Sequence, residues 1–254
     1  MLHRLGLFLR SSIGRKFLMS LTGAGLMAFV LVHLLGNLTL FADSTGQAFD
    51  RYSHVLESNP LLPLAEIGLV VLFVVHLALG IRLALDNRDA RPKRYKDLEA
   101  HGERSYASLT MPVTGLLVLV FLVVHLLDFR LAERAPEGLA AMVVQRLRAP
   151  LSALVYVVGV VALGIHLWHA FQSAFQSLGL FQPRYRLLVR NAGRVFAVAI
   201  ALGFVAFPLA IALAPEGLAR GPEPGAELPA SSEDASPTDP EPAAPASAAR
   251  GDLR

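Results

Sequence analysis

The chain has 254 residues and a formal net charge of +3, and 54% of it is hydrophobic while only 17% is charged. Soluble domains carry about 25% charged residues, so this composition indicates an integral membrane protein. The absence of cysteine excludes disulfides, thiolate-held iron–sulfur clusters and covalently attached c-type haem. The small net charge, with its basic residues in short clusters, argues against a nucleic-acid partner.

Five apolar runs follow a short polar and basic N-terminal segment, residues 1–16. Each run approaches or exceeds the roughly 20 residues that a helix needs to cross a bilayer, and in hydrocarbon only a helix satisfies its own backbone. The sequence therefore predicts an all-α integral membrane protein with five transmembrane helices between residues 17 and 214. The predicted spans are residues 17–41, 63–85, 109–129, 149–171 and 195–214. Residues 215–254 are rich in Pro, Ala and Glu and are predicted to be disordered.

The basic residues are unevenly distributed over the segments between the spans. Counting Arg82 with the second loop, the N-terminus and the second and fourth loops hold 15 Lys and Arg residues, against 8 in the other segments. Because cytoplasmic segments carry the excess of positive charge, the sequence predicts a cytoplasmic N-terminus and a tail on the outside.

A histidine lies inside each of the first four apolar runs, and ionisable residues at membrane depth usually mark functional sites. Each histidine lies roughly 20–23 Å along its helix, so it is nearer the end of its span than the start. Because successive spans alternate in direction, the count predicts two pairs at two levels, roughly 10–15 Å apart along the membrane normal. The outer pair is His33 with His125, and the inner pair is His76 with His166.

Two facing imidazoles can hold one haem iron, and the core of a helix bundle is a usual place for a cofactor. Gly23 and Gly115 each stand ten residues before an outer-pair histidine, which is about 15 Å of helix. These glycines are therefore predicted to lie at the level of the inner pair and to leave room there for haem.

The histidines also have interpretations other than haem ligation. A single membrane histidine can simply hydrogen-bond a neighbouring helix, but four at matched depths favour ligands. Zinc would need more ligands than two histidines per level supply. His169 competes with His166, although it lies about 4.5 Å farther along the helix and matches the depth of His76 less well. The histidines in polar segments, predicted to be solvated, are His3, His54 and His101.

Each of the four histidines lies in a longer characteristic stretch: SLTGAGLMAFVLVHLLGNL, PLAEIGLVVLFVVHLALG, PVTGLLVLVFLVVHLLD and ALGIHLWHAFQSAFQSLG. These stretches resemble the single-polypeptide dihaem cytochrome b membrane anchors of succinate dehydrogenases and fumarate reductases (complex II). The similarity covers about residues 10–213, and the ending HxxHxFxSAFQSLG is its most specific piece.

The resemblance implies five helices and two b haems with bis-histidine ligation, His33 with His125 and His76 with His166. It also implies a flavoprotein and an iron–sulfur subunit docked on the cytoplasmic face of a bacterial inner membrane, and a quinone, usually menaquinone, as the electron partner. The chain would be a non-catalytic subunit that contributes the quinone site and not the dicarboxylate site.

Further residues take roles through this resemblance or from their position in the chain. Glu57 is similar to an acidic residue near the outer quinone site. Gly164 stands where some fumarate reductases carry a glutamate linked to proton movement, which puts that proton route in doubt. Position alone suggests the basic residues that would pair with haem propionates, namely Arg15, Lys16, Arg82 and Arg130.

Two alternatives remain open at this stage. One is the cytochrome b anchor of a hydrogenase or formate dehydrogenase, which would carry similar histidines. The other is a membrane transporter whose histidines move protons or ions, although transporters often show broken helices and inverted repeats, and neither is clear in this sequence.

Overall fold

A computed structural model describes residues 11–89 and 107–213, and in these ranges the chain is helical, without strands. The N-terminal residues 1–10, most of the predicted second loop and the predicted disordered tail, residues 215–254, lie outside the described residues. The helices are α1 Ser12–Asn37, α2 Gln47–Glu57, α3 Leu62–Asp89, α4 Ala107–His125, α5 Leu139–Arg148, α6 Pro150–Ser177 and α7 Arg186–Leu213.

The predicted five-span fold is confirmed. The stretches long and apolar enough to cross a membrane are Ser12–Phe41, Leu62–Asp86, Thr110–Arg130, Pro150–Ser177 and Pro183–Leu213. The third of them ends in a π-helical turn, Leu126–Arg130, and the first in a 3-10 turn, Leu38–Phe41.

The boundaries of the first and last spans differ from the prediction. Helix α1 begins at Ser12, so part of the predicted N-terminal segment is helical. Helix α7 begins at Arg186, nine residues before the predicted start at residue 195. Arg186, Arg190 and Arg194 recur every four residues, which places them along one face of a helix. The run that was predicted to be a basic loop therefore continues the membrane helix.

Two short helices, α2 and α5, replace the predicted first and third loops. Gly46 is the N-cap residue of α2. Asp43, three residues earlier, caps the helix from outside that position, because its carboxylate accepts hydrogen bonds from the backbone N–H of Gly46 at 2.6 Å and of Ala48 at 2.6 Å. Asp50, on α2, accepts from the backbone N–H of Ala140 at 2.9 Å, in the first turn of α5. Each carboxylate satisfies N–H groups that a helix start leaves without an intrahelical partner, and Asp50 also joins the two short helices.

We expect Asp43→Ala to destabilise the protein by about 1 kcal/mol, the usual cost of a lost N-terminal cap. Partial desolvation raises the pKa of Asp43, but hydrogen bonds from Ala48, Thr45 and Gly46 outweigh it and lower that pKa to about 2. Since the pKa in the folded state lies below the unfolded value, the stabilisation is complete above roughly pH 4 and is lost as the pH falls through about 2.

Thermal unfolding of the detergent-solubilised protein across this pH range measures the effect. Asp43→Asn is the control, because asparagine is a good cap without the titrating charge. Equal melting temperatures for the alanine variant and the wild type at pH 7 would contradict the assignment of the cap.

Helix α6 lies at the centre of the bundle, packed against α1, α4, α5 and α7. Small residues allow these close approaches: Gly159 faces the ring of Phe121 on α4, and Gly164 faces Ala201 on α7. Helix α3 is peripheral. It packs mainly against α1, and none of its most apolar window is buried within the protein.

Candidate functional site

The outer pair brings together histidines from α1 and α4. The ring centroids of His33 and His125 are 5.8 Å apart and their planes are nearly perpendicular, at 82°. Two imidazoles on opposite sides of one metal ion, each bonded at about 2 Å, would have ring centroids roughly 6 Å apart. The spacing of the outer pair is therefore that of two axial ligands sharing one iron.

Aromatic side chains surround the outer pair. Phe29 stacks on His33 with ring centroids 5.4 Å apart, and Phe204 from α7 lies 5.8 Å from the same imidazole. The rings around His125, at centroid distances of 5.4 to 6.1 Å, are Phe121, Phe129 and Tyr156. These rings form an apolar shell around the outer pair, and such shells tune the chemistry of a bound metal.

The inner pair lies on α3 and α6, and each of its imidazoles meets a threonine from a neighbouring helix. The hydroxyl oxygen of Thr22 lies 3.2 Å from Nδ1 of His76, and that of Thr114 lies 3.2 Å from Nδ1 of His166. The described structure thus places the four predicted histidines on four different helices: His33 meets His125, and His76 and His166 each meet a threonine hydroxyl.

The predicted level of the two glycines is confirmed. A Cβ atom added to Gly23 would lie 3.2 Å from Cε1 of His76, and one added to Gly115 would lie 3.5 Å from Cε1 of His166. Both glycines therefore stand beside the inner pair, on the helices that carry the outer pair. The absence of a side chain at each glycine leaves space for the neighbouring inner imidazole.

Two observations test whether the residues fit haem. Among the described residues, the buried side-chain nitrogens without a hydrogen-bond partner are Nδ1 of His125 and Nε of Arg15. Buried polar atoms are rarely left unpaired, so both atoms indicate a partner that the described residues do not supply. No group of three or more His, Asp or Glu side chains in the described ranges could hold a bare metal ion, whereas haem iron needs only two axial ligands. The residues fit haem.

The structure distinguishes His166 from the competing His169 and shows the surroundings of Gly164. His166, and not His169, contacts Thr114 and lies beside Gly115. Gly164 has no room for a larger side chain, since an added Cβ would lie 2.8 Å from that of Ala201. A glutamate could not occupy that position without moving α7.

Several residues that the sequence singled out are already engaged in ion pairs between an arginine and a carboxylate. Glu57 forms an ion pair with Arg134 on the segment between α4 and α5. Arg15 contacts Asp86 at 2.7 Å, although its Nε atom remains unpaired. Arg130 makes two hydrogen bonds to Glu66, at 2.8 and 3.0 Å. The quinone role of Glu57 and the propionate roles of the arginines stay predictions.

Sequence reasoning missed the two threonines and a polar cluster beside the outer pair. In that cluster Asp128 accepts a hydrogen bond from the Tyr156 hydroxyl at 2.9 Å and forms an ion pair with Arg146 at 3.2 Å. The sequence did contain a signal for the threonines. The dipeptide Thr-Gly precedes both outer-pair histidines at the same distance, since Thr22 stands eleven residues before His33 and Thr114 eleven residues before His125.

The five apolar helices are long enough to cross a membrane, and four of them each carry one of the predicted histidines. These features define a multi-pass membrane protein. Residues 15–96 match the family of succinate dehydrogenase/fumarate reductase transmembrane subunits. The matched segment, about a third of the chain, includes His33 and His76 and confirms the resemblance inferred from the sequence. No curated protein and no solved structure matches the chain significantly.

Proposed function

We propose that the chain is the membrane anchor and electron-transfer subunit of a succinate dehydrogenase or fumarate reductase. In this proposal His33 with His125, and His76 with His166, are the axial ligands of two b haems. The observation that carries the proposal is the contact of His33 with His125 at one level of the bundle, with His76 and His166 in matching threonine contacts beside Gly23 and Gly115 at another, in a chain whose first spans match this family.

When bound, the haems would supply one-electron steps between an iron–sulfur subunit and quinone, most simply menaquinone as the resemblance implies. The chain's own residues hold and insulate them. Along α1, the ten residues from Gly23 to His33 separate the two levels by about 15 Å, which agrees with the predicted spacing. Aromatic rings close the outer level, and threonine and glycine residues shape the inner one.

The basic segments are proposed to face the cytoplasm of a bacterial cell, where the flavoprotein and iron–sulfur subunits dock. The inner pair would then be nearer to those soluble subunits, and the outer pair nearer to the opposite face. Dicarboxylate chemistry would belong to the flavoprotein, so that this chain contributes the quinone site alone.

A dithionite-reduced minus oxidised spectrum of the purified protein, with haem extracted and quantified, tests the proposal. The expected result is a b-type α-band and two haems per chain, together with copurification of a flavoprotein that oxidises succinate. A featureless spectrum would instead favour a transporter. Two haems accompanied by hydrogenase or formate dehydrogenase activity would favour the anchor of those enzymes.

We expect Glu57→Gln to slow quinone-dependent turnover by about tenfold, through loss of one charged hydrogen-bonding partner, while haem content stays unchanged. The ion pair with Arg134 complicates this substitution, because breaking the pair could move α2. Arg134→Gln breaks the same pair and is therefore the matched control. Succinate-to-quinone reductase rates of both variants distinguish the roles: equal losses in both would show that Glu57 acts only through the ion pair.

A further inference from the structure

The threonine that faces each inner imidazole has already committed its only hydroxyl hydrogen. The hydroxyl oxygen of Thr22 lies 3.0 Å from the carbonyl oxygen of Leu18 and 3.0 Å from that of Met19, one turn earlier in α1. A carbonyl oxygen can only accept a hydrogen bond. The hydrogen of the Thr22 hydroxyl therefore points back along its own helix, as buried threonines in helices commonly arrange it.

The same arrangement recurs on α4. The hydroxyl oxygen of Thr114 lies 2.9 Å from the carbonyl oxygen of Thr110 and 3.2 Å from that of Met111. Thr114 is buried, with 6% of its surface exposed, and Thr22 is buried with 4% exposed, so water does not compete for either hydroxyl.

Counting hydrogens then fixes the tautomer of both inner histidines. With its hydrogen given to a carbonyl, each hydroxyl can only accept at the 3.2 Å contact with an imidazole Nδ1. The hydrogen in that contact must come from the imidazole, so Nδ1 carries it. A neutral imidazole has one N–H and one free lone pair, and the lone pair is consequently on Nε2.

The arrangement is duplicated within the chain. Helices α1 and α3 supply Thr22 and His76, and helices α4 and α6 supply Thr114 and His166, with a glycine directly after the threonine in both cases. Two separate helix pairs thus present the same three-residue device to one level of the bundle. The outer pair has different surroundings: among the described residues Nδ1 of His125 has no hydrogen-bond partner, and Nδ1 of His33 lies 3.4 Å from the amide nitrogen of Asn37 on its own helix.

We propose that Thr22 and Thr114 are positioning residues that hold His76 and His166 with Nδ1 protonated and present both Nε2 lone pairs to the same haem iron. This inference rests on the proposed function, because it assumes that the inner pair ligates haem. An acceptor on the far nitrogen fixes the orientation of a ligating imidazole and makes it a stronger donor. A stronger donor stabilises ferric relative to ferrous iron, so the two threonines lower the midpoint potential of the inner haem.

Redox titration of the α-band in Thr22→Val and Thr114→Val tests this role. Valine keeps the shape of threonine and removes the acceptor. At a fixed ambient potential we expect the ratio of ferrous to ferric inner haem to rise roughly two- to tenfold in each variant, the range for one lost hydrogen bond. A tenfold rise corresponds to an upward shift of about 59 mV in a one-electron midpoint. The spectral component that disappears in His76→Ala identifies the inner haem.

Two controls separate the hydroxyl acceptor from packing. Thr22→Ser and Thr114→Ser keep the hydroxyl and are expected to retain the wild-type midpoint. Ser20→Ala removes a buried hydroxyl with the same backbone hydrogen bond, to the Lys16 carbonyl at 2.9 Å, and is expected to leave the midpoint unchanged. If the valine variants lose haem, the serine variants decide: retention of haem supports the proposal, and an equal loss overturns it.

Unshifted midpoints in both valine variants would overturn the inference, and so would serine variants that shift as far as the valine variants. The proposed function fails separately. If His76→Ala and His166→Ala keep two haems per chain, the inner pair does not ligate haem at all. If these alanine variants lose the inner haem while the valine variants keep a wild-type midpoint, only the role of the threonines is refuted.

Discussion

Replacing His125 by alanine is expected to remove one of two haems from the purified protein and to leave the other in place. Among the described residues, the rings that contact His125 besides His33 are Phe121, Phe129 and Tyr156, and none of them is an imidazole that could replace the deleted nitrogen. His76→Ala is expected to remove the other haem, so that each variant retains about one haem per chain. Extraction and quantification of haem, together with difference spectra, measure the loss.

Two further alanine variants make this result specific. His54, on the exposed surface of α2, is not placed near either pair, so His54→Ala should keep both haems. His169→Ala tests the competing ligand on α6 and should also keep both. Full haem content in both the His76 and the His125 variants would refute bis-histidine ligation at the two levels.

The second large effect is expected from filling the space beside the inner imidazoles. A leucine at Gly23 would place its Cβ 3.2 Å from Cε1 of His76, and a leucine at Gly115 would place it 3.5 Å from Cε1 of His166. The added Cβ already touches the imidazole at both positions, so the three further carbon atoms of each leucine enter the space beside the inner histidines, and overpacking of this kind typically costs about 1–3 kcal/mol. We expect each substitution to abolish or strongly reduce the inner haem while the outer haem stays bound.

Gly68 on α3 offers a matched control for these glycines. An added Cβ there meets nothing within 4 Å, so Gly68→Leu introduces the same side chain into a membrane helix without a clash and should keep both haems. The measurement is the reduced spectrum of each variant at equal protein concentration. An unchanged inner-haem signal in Gly115→Leu would show that the glycine does not shape this level.

The spans and the pairing of the histidines could be predicted from the sequence for simple reasons. Helices in a bilayer have a fixed rise per residue and alternate in direction, so counting residues places His33 at the level of His125 and Gly23 at the level of His76. A count gives depth, but it does not show which neighbouring helix an imidazole faces. The contacts of His76 with Thr22 and of His166 with Thr114 depend on helix rotation and packing, which only the structure supplies.

Short surface helices were harder to foresee than the membrane spans. Helix α2 is mostly polar and is stabilised by the cap at Asp43 and by the link from Asp50 to α5, and neither feature produces a long hydrophobic signal. The start of α7 was misjudged for the opposite reason. Positive charge from Arg186 to Arg194 is typical of a cytoplasmic loop, yet the four-residue spacing of these arginines is equally that of a helix face.

The peripheral position of α3 has a consequence for biogenesis. Because α3 rests mainly on α1 and buries none of its most apolar window, protein–protein packing alone attaches it weakly to the bundle. In the proposed holoprotein, the bonds of His76 and His166 to one iron would link α3 to α6. In a cell that lacks haem, α3 would then be loosely held. The protein would be exposed to membrane proteases until haem binds.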